Sequence, residues 1–77
     1  MHAFLSDVLA RNFQVQPPVE PDATLEELGL DSLARAEFGA ELQDSLRIEV
    51  GEDELASTTT VAQLAATLEA KGAAVPR

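Results

Sequence analysis

The chain has no cysteine, which excludes disulfides, thiolate metal sites and cysteine nucleophiles. It has one histidine, His2, and a place that close to a terminus favours an untethered side chain over a general base. No His–Ser pair can be built without borrowing that residue. Aromatic residues make up only 4% of the chain, and the remaining apolar content is Leu, Val and Ala, which favours a small helical bundle over a β-sandwich. No apolar run is long enough to span a bilayer. Residues 1–13 lack the basic start and continuous apolar stretch of a secretory signal. The expectation is a cytoplasmic protein with no membrane partner.

Positive charge is scarce as well. Five Lys and Arg stand against 14 Asp and Glu, for a formal net charge of −9. Such a surface repels nucleic acid and anionic membranes and steers the protein towards basic patches on partner proteins. The imbalance is concentrated: residues 26–54 hold ten acidic residues against only Arg35 and Arg47. Taken alone, that cluster is better explained as a solvated face that keeps the protein soluble. With 77 residues, the chain has room for a single domain, 1–77, of modest stability.

The stretch "AFLSDVLARNF" predicts a helix over 3–13, with Phe4, Leu5, Val8, Leu9 and Phe13 on one side and Asp7 and Arg11 paired at i,i+4 on the other. Residues 14–31 contain Pro17, Pro18 and Pro21, so no long regular element fits there. Val15, Val19, Leu25, Leu28 and Leu30 can still anchor this segment to a core. Thr24 and Glu27 match a capping box, which predicts one helical turn over 25–28, and Gly29 supplies its stop. A loop this long in a small domain points to function.

The second helix is predicted over 32–46, with Phe38, Leu42 and Leu46 in the core and Ala36 filling in beside them. Gly39 in its middle costs roughly 1 kcal/mol relative to alanine. Ile48 and Val50 then point inward along an extended step, and Gly51 opens a short acidic turn ending near Leu55. Val61, Leu64, Ala65 and Leu68 recur at helical spacing, with Thr60 and Gln63 as a second capping box and Gly72 as a stop. Residues 71–77 are expected to fray. The fold class is all-α: a four-helix bundle of three main helices and one short one, with a long first loop.

Few residues suggest chemistry. "EVGEDEL" lacks the alternating ligands and terminal glutamate of a calcium loop, so no metal site is assigned. Glu26 and Glu27 would diverge on a helix and make a poor acid–base pair. Ser32 is different. Either it or Asp31 suits the N-cap of the second helix, and capping alone would explain both. Yet a serine at a helix N-terminus also lies where backbone dipoles stabilise an attached phosphate. With no base beside it, such a serine suits carrying a phosphodiester installed by another enzyme rather than attacking a substrate.

The triplet Asp31-Ser32-Leu33 within "LGLDSL" resembles the signature of acyl carrier proteins, where Asp-Ser-Leu opens the second of four helices. The resemblance runs along nearly the whole chain, through the long anchored loop, the short acidic third helix and the "TTV" that opens the last helix. It implies a freestanding, monomeric carrier and not an enzyme. By this resemblance Ser32 carries 4′-phosphopantetheine, transferred from coenzyme A by a phosphopantetheinyl transferase that Asp31 helps to engage. The group's thiol would hold acyl cargo as thioesters. Leu33, Glu37, Glu41 and Asp44 would dock on basic patches of ketosynthase-type and acyltransferase-type enzymes of polyketide or fatty acid synthesis. Arg35 departs from the pattern, because fatty acid carriers tend to be neutral or acidic there. Two alternatives remain: a peptidyl or aminoacyl carrier, and an unmodified acidic module in which Ser32 only caps a helix.

Overall fold

The structure is a computed structural model that describes residues 1–73. Helix α1 spans His2–Phe13, α2 Ser32–Leu46 and α3 Val61–Ala70, with a single 3₁₀ turn at Glu52–Leu55 between α2 and α3. The fold is the all-α bundle that the spacing of apolar residues predicts.

Helix α1 starts one residue earlier than its apolar pattern indicates. The Met1 carbonyl accepts from the Leu5 N–H at 3.0 Å, which draws His2 into the first turn. His2 is therefore not the untethered side chain expected of it: its Nε2 lies 3.3 Å from Ser6 Oγ and its Nδ1 is buried without a partner. Leu5, Val8 and Leu9 are buried, while Phe4 and Phe13 are half-buried against the core. Asp7 and Arg11 pair at 2.7 Å on the exposed side.

Helices α1 and α3 pack on each other, and the 3₁₀ turn packs on both α2 and α3. The centre is filled by Phe38 and Leu42 of α2 against Leu5 and Leu9 of α1 and Leu64 and Leu68 of α3. Phe13 meets Phe38 edge to face, with ring centroids 5.6 Å apart, and this joins the end of α1 to the middle of α2. Ala36 is not part of this core. It is exposed, because the buried stripe of α2 runs through Phe38, Leu42 and Leu46, and a residue two positions before Phe38 falls on the other side.

The long loop is pinned at several points. Thr24 and Glu27 form the reciprocal capping box: the Thr24 N–H donates to Glu27 Oε1 at 2.8 Å and the Glu27 N–H to Thr24 Oγ1 at 3.1 Å. One turn follows. It closes with Gly29 at φ +86, where the Gly29 N–H reaches the Glu26 carbonyl and the Leu30 N–H reaches the Leu25 carbonyl. This is the pairing of a glycine-terminated helix end compressed into a single turn.

The same device appears at α3, with Thr60 and Gln63 at its start and Gly72 at φ +84 after its end. The two caps lie side by side, and Thr24 and Thr60 form an isolated antiparallel bridge. The Val61 and Ala62 N–H groups donate to the Ala23 and Pro21 carbonyls at 3.0 and 2.8 Å. Two donors that a helix start ordinarily leaves to water are thus taken up by the loop.

Lys71 and Ala73, in the segment expected to fray, make contacts with the rest of the fold. Lys71 Nζ donates to the Glu49 carbonyl and pairs with Glu54 Oε1, both at 3.0 Å, and Ala73 packs against the core. Residues 74–77, the rest of the expected frayed tail, lie outside the described residues.

Candidate functional site

Leu30, 4% exposed, anchors the loop two residues before Ser32. Asp31 is the N-cap of α2, in extended conformation, and its Oδ1 accepts from the Ala34 N–H at 2.8 Å. Its own carbonyl accepts from the Arg35 N–H at 2.9 Å. Ser32 is the first residue inside the helix and is exposed. Of the two residues that suit the cap, Asp31 takes that role. Among the described residues Ser32 Oγ enters no side-chain hydrogen bond.

Ser32 thus sits on a rigid base. Glycine and capping box fix the turn before it, Leu30 fixes the entry, and the α2 dipole places partial positive charge at the hydroxyl. Leu33 is the single large hydrophobic side chain fully exposed among the described residues, at 68%. Glu37 and Asp44 are exposed on the side of α2 away from Phe38 and Leu42, and Glu41, three residues after Phe38, is half-buried at the margin of that side.

A cleft of about 330 Å³ opens beside the serine. Ser32, Arg35 and Ala36 line it from α2, and Glu52, Leu55 and Ala56 line it from the 3₁₀ turn and the residue after it. Arg35, in the sequence only a departure from a pattern, is here a wall of the cleft. Its Nη1 donates to the Leu30 carbonyl at 3.0 Å, which holds the guanidinium close to the start of α2. Ala36, displaced from the core, gives the cleft a small apolar wall.

The far wall is held by contacts between segments, the first at Gly39, where the sequence leaves open whether something packs closely. A Cβ on Gly39 would lie 2.5 Å from Leu55 Cδ1, so the glycine lets the turn approach α2 closely. Glu54 accepts from the Gly51 N–H at 2.7 Å and pairs with Lys71. These two interactions, the backbone N–H first, hold the Glu54 carboxyl below its ordinary value. Gln43 Oε1 accepts from the Val50 N–H at 2.9 Å and ties the chain after α2 back onto it. Of the acids of "EVGEDEL", Glu54 serves this local architecture, and among the described residues no group of three potential ligands gathers to hold a metal.

An exposed hydroxyl on a helix N-terminus, beside a cleft lined by Arg35 on its own wall and by Glu52, Leu55 and Ala56 on the other, leaves room for a phosphodiester-linked arm. The family profile of the phosphopantetheine attachment site matches residues 3–68. This defines the class: a helical carrier domain whose prosthetic group is 4′-phosphopantetheine. An acyl carrier protein of Streptomyces coelicolor is 40% identical over 75 residues, covering 94% of this chain and 80% of that protein. The non-reducing polyketide synthase stbA of Stachybotrys bisbyi is 45% identical over 56 residues, 73% of this chain but 2% of that much longer protein. No solved structure matches.

The chain belongs to the acyl carrier protein family. As a member of that family it is a carrier and not an enzyme.

Proposed function

We propose that Ser32 is the residue that carries the phosphopantetheine. The observation that carries this reading is the division of labour at the start of α2. Asp31 supplies the cap, so Ser32 Oγ is left exposed and uncommitted at the mouth of the cleft. In the rival reading of an unmodified acidic module, capping was the reason for the serine, and that reason now belongs to Asp31.

Modification requires an external transferase. The bond from phosphorus to Ser32 Oγ forms as the bond to the nucleotide part of coenzyme A breaks, and the hydroxyl proton leaves to a base of that enzyme. Bound at Ser32, the group supplies a terminal thiol that holds an acyl chain as a thioester. The protein's own part is to present the hydroxyl on a fixed helix end. Asp31 lies next to the serine with its second carboxylate oxygen available to the transferase.

Leu33, Glu37, Glu41 and Asp44 form the surface we assign to docking. Leu33 offers an apolar contact and the acids offer salt-sensitive attraction to basic patches of the transferase and of ketosynthase-type and acyltransferase-type enzymes. Such contacts are weak one by one, which suits a shuttle that must leave each partner. With Leu33 as the one large exposed hydrophobic among the described residues, the surface supports a monomer. The cytoplasm, where coenzyme A is at hand, is its proposed location.

Incubation of the purified protein with coenzyme A, Mg²⁺ and a broad-specificity phosphopantetheinyl transferase tests the reading by intact mass and peptide mapping. One phosphopantetheinyl group on Ser32, absent from Ser32→Ala, supports it. Folded protein that stays unmodified, or a group that maps to another residue, overturns it.

A further inference from the structure

We infer that Arg35 is the phosphate-binding residue of this carrier: its guanidinium pairs with the phosphodiester at Ser32 and sets the arm into the cleft between α2 and the 3₁₀ turn. The inference rests on Ser32 being the attachment site.

Four observations meet here. Ser32 and Arg35 are i,i+3 on α2, a spacing that brings side chains to within about 5–6 Å at Cβ, and both line the same cleft. Arg35 is half-buried, and its guanidinium is already oriented by one hydrogen bond, Nη1 to the Leu30 carbonyl at 3.0 Å. The remaining N–H donors of its planar fork are free for phosphate oxygens, which that geometry matches. Finally, Arg35 has no carboxylate partner among the described residues, where the two ion pairs are Arg11 with Asp7 and Lys71 with Glu54.

The surroundings make the assignment selective. A phosphodiester at Ser32 adds negative charge to a surface that is already strongly acidic, with Asp31 alongside and Glu52 on the opposite wall. Arg35 is the cation that offsets this. Arg47 lies twelve residues further along α2, about 18 Å at 1.5 Å per residue, which is beyond the reach of the site. Repulsion from Glu52 and attraction to Arg35 act in the same direction and hold the phosphate on the α2 wall. The arm then leaves Ser32 past Ala36 and Leu55 rather than straight into solvent.

The test follows the arginine directly. Uniformly ¹⁵N-labelled protein is converted by the transferase, conversion is verified by mass, and the arginine Nε–Hε resonances of the two forms are compared at low ionic strength. Arg35 is expected to shift on conversion while Arg11 and Arg47 stay in place, and the shift should shrink in 1 M salt. The ³¹P resonance of the modified Arg35→Gln variant should differ from that of the modified parent and lose its salt dependence. Full modification with an unmoved Arg35 resonance overturns the inference and leaves the attachment reading intact. A protein that takes up no group at Ser32 overturns both. The first readout uses the unaltered chain, so the result does not depend on the variant's folding.

Discussion

Gly39 and Leu55 touch where α2 and the 3₁₀ turn meet: a Cβ on the glycine would come within 2.5 Å of Leu55 Cδ1. The glycine looks like a weakness in a helix, yet its missing side chain is what lets the far wall of the cleft close on α2. Alanine at 39 would gain roughly 1 kcal/mol of helix propensity. It would also force a methyl group into a packed wall, at a cost of roughly 1–3 kcal/mol.

The expected outcome for Gly39→Ala is therefore a net loss of about 1 kcal/mol in urea denaturation, the difference between these two terms. The sign should reverse when the obstacle is removed. In a Leu55→Ala background, itself destabilised by about 2–5 kcal/mol, Gly39→Ala should stabilise by about 1 kcal/mol. The two differences combined give a coupling energy between the sites, and equal effects in both backgrounds would mean that the contact carries no stability.

Asp31 caps α2, and Ser32 beside it is the proposed attachment residue. Asp31→Ala removes the acceptor of the Ala34 N–H and should cost about 1 kcal/mol, whereas Asp31→Asn keeps a capping oxygen and should cost a few tenths. Ser32→Ala should fall within about 0.5 kcal/mol of the parent, because the residue is exposed and makes no cap, while abolishing modification. Thermal melts and mass spectrometry on the three variants check both halves. A drop of about 1 kcal/mol in Ser32→Ala would restore the capping explanation of the serine.

Acid should loosen the turn that carries the far wall. The Glu54 carboxyl is held below its ordinary value of 4.5, first by the Gly51 N–H and then by Lys71. A depressed folded value means that its stabilising effect is fully present above pH 4.5 and fades as pH falls through the lower value in the folded protein. Glu54→Gln keeps an acceptor for Gly51 but cannot titrate, so its stability should fall less steeply below pH 4.5 than the parent's. The slope should not vanish, because Glu27 is lowered in the same way by the Thr24 N–H and hydroxyl. Denaturant titrations at fixed ionic strength from pH 6 to about pH 3 cover this window.

Much of this was legible in the sequence, for identifiable reasons. Helices α1 and α3 carry clean apolar spacing, and the boxes at Thr24 and Thr60 involve residues three apart, so local pattern was enough. Ser32 and its neighbours were legible because the turn and the cap are also local. What escaped depended on contacts between distant segments. The bridge between Thr24 and Thr60 joins residues 36 positions apart, and nothing near either one announces it. The contacts of Lys71 likewise reach another segment, to Glu49 and Glu54. Ala36 went astray because alanine suits either side of a helix, and only the final rotation of α2 placed it on the cleft. Arg35 drew attention as an oddity of type, but the cleft that gives it a role needs the 3₁₀ turn in place.

Docking makes the last prediction, and it turns on Leu33. At 68% exposure the side chain has little burial to lose, so Leu33→Ala should leave folding stability within about 0.5 kcal/mol. If the transferase covers it, kcat/KM for modification should fall roughly 5- to 30-fold, the equivalent of about 1–2 kcal/mol of lost apolar contact. Reversing Glu37 and Asp44 to lysine acts through a different force. It should slow transfer at low salt, mainly in the association step, and the difference from the parent should narrow as salt is raised. The Leu33 effect should persist at high salt, because burial of apolar surface is not screened. Transfer rates for both variants at 0.05 and 0.5 M salt, where the Debye length changes about threefold, separate the two contributions. Rates unchanged in both variants would remove this face of α2 from recognition and move the search to the opposite rim of the cleft, around Glu52 and Ala56.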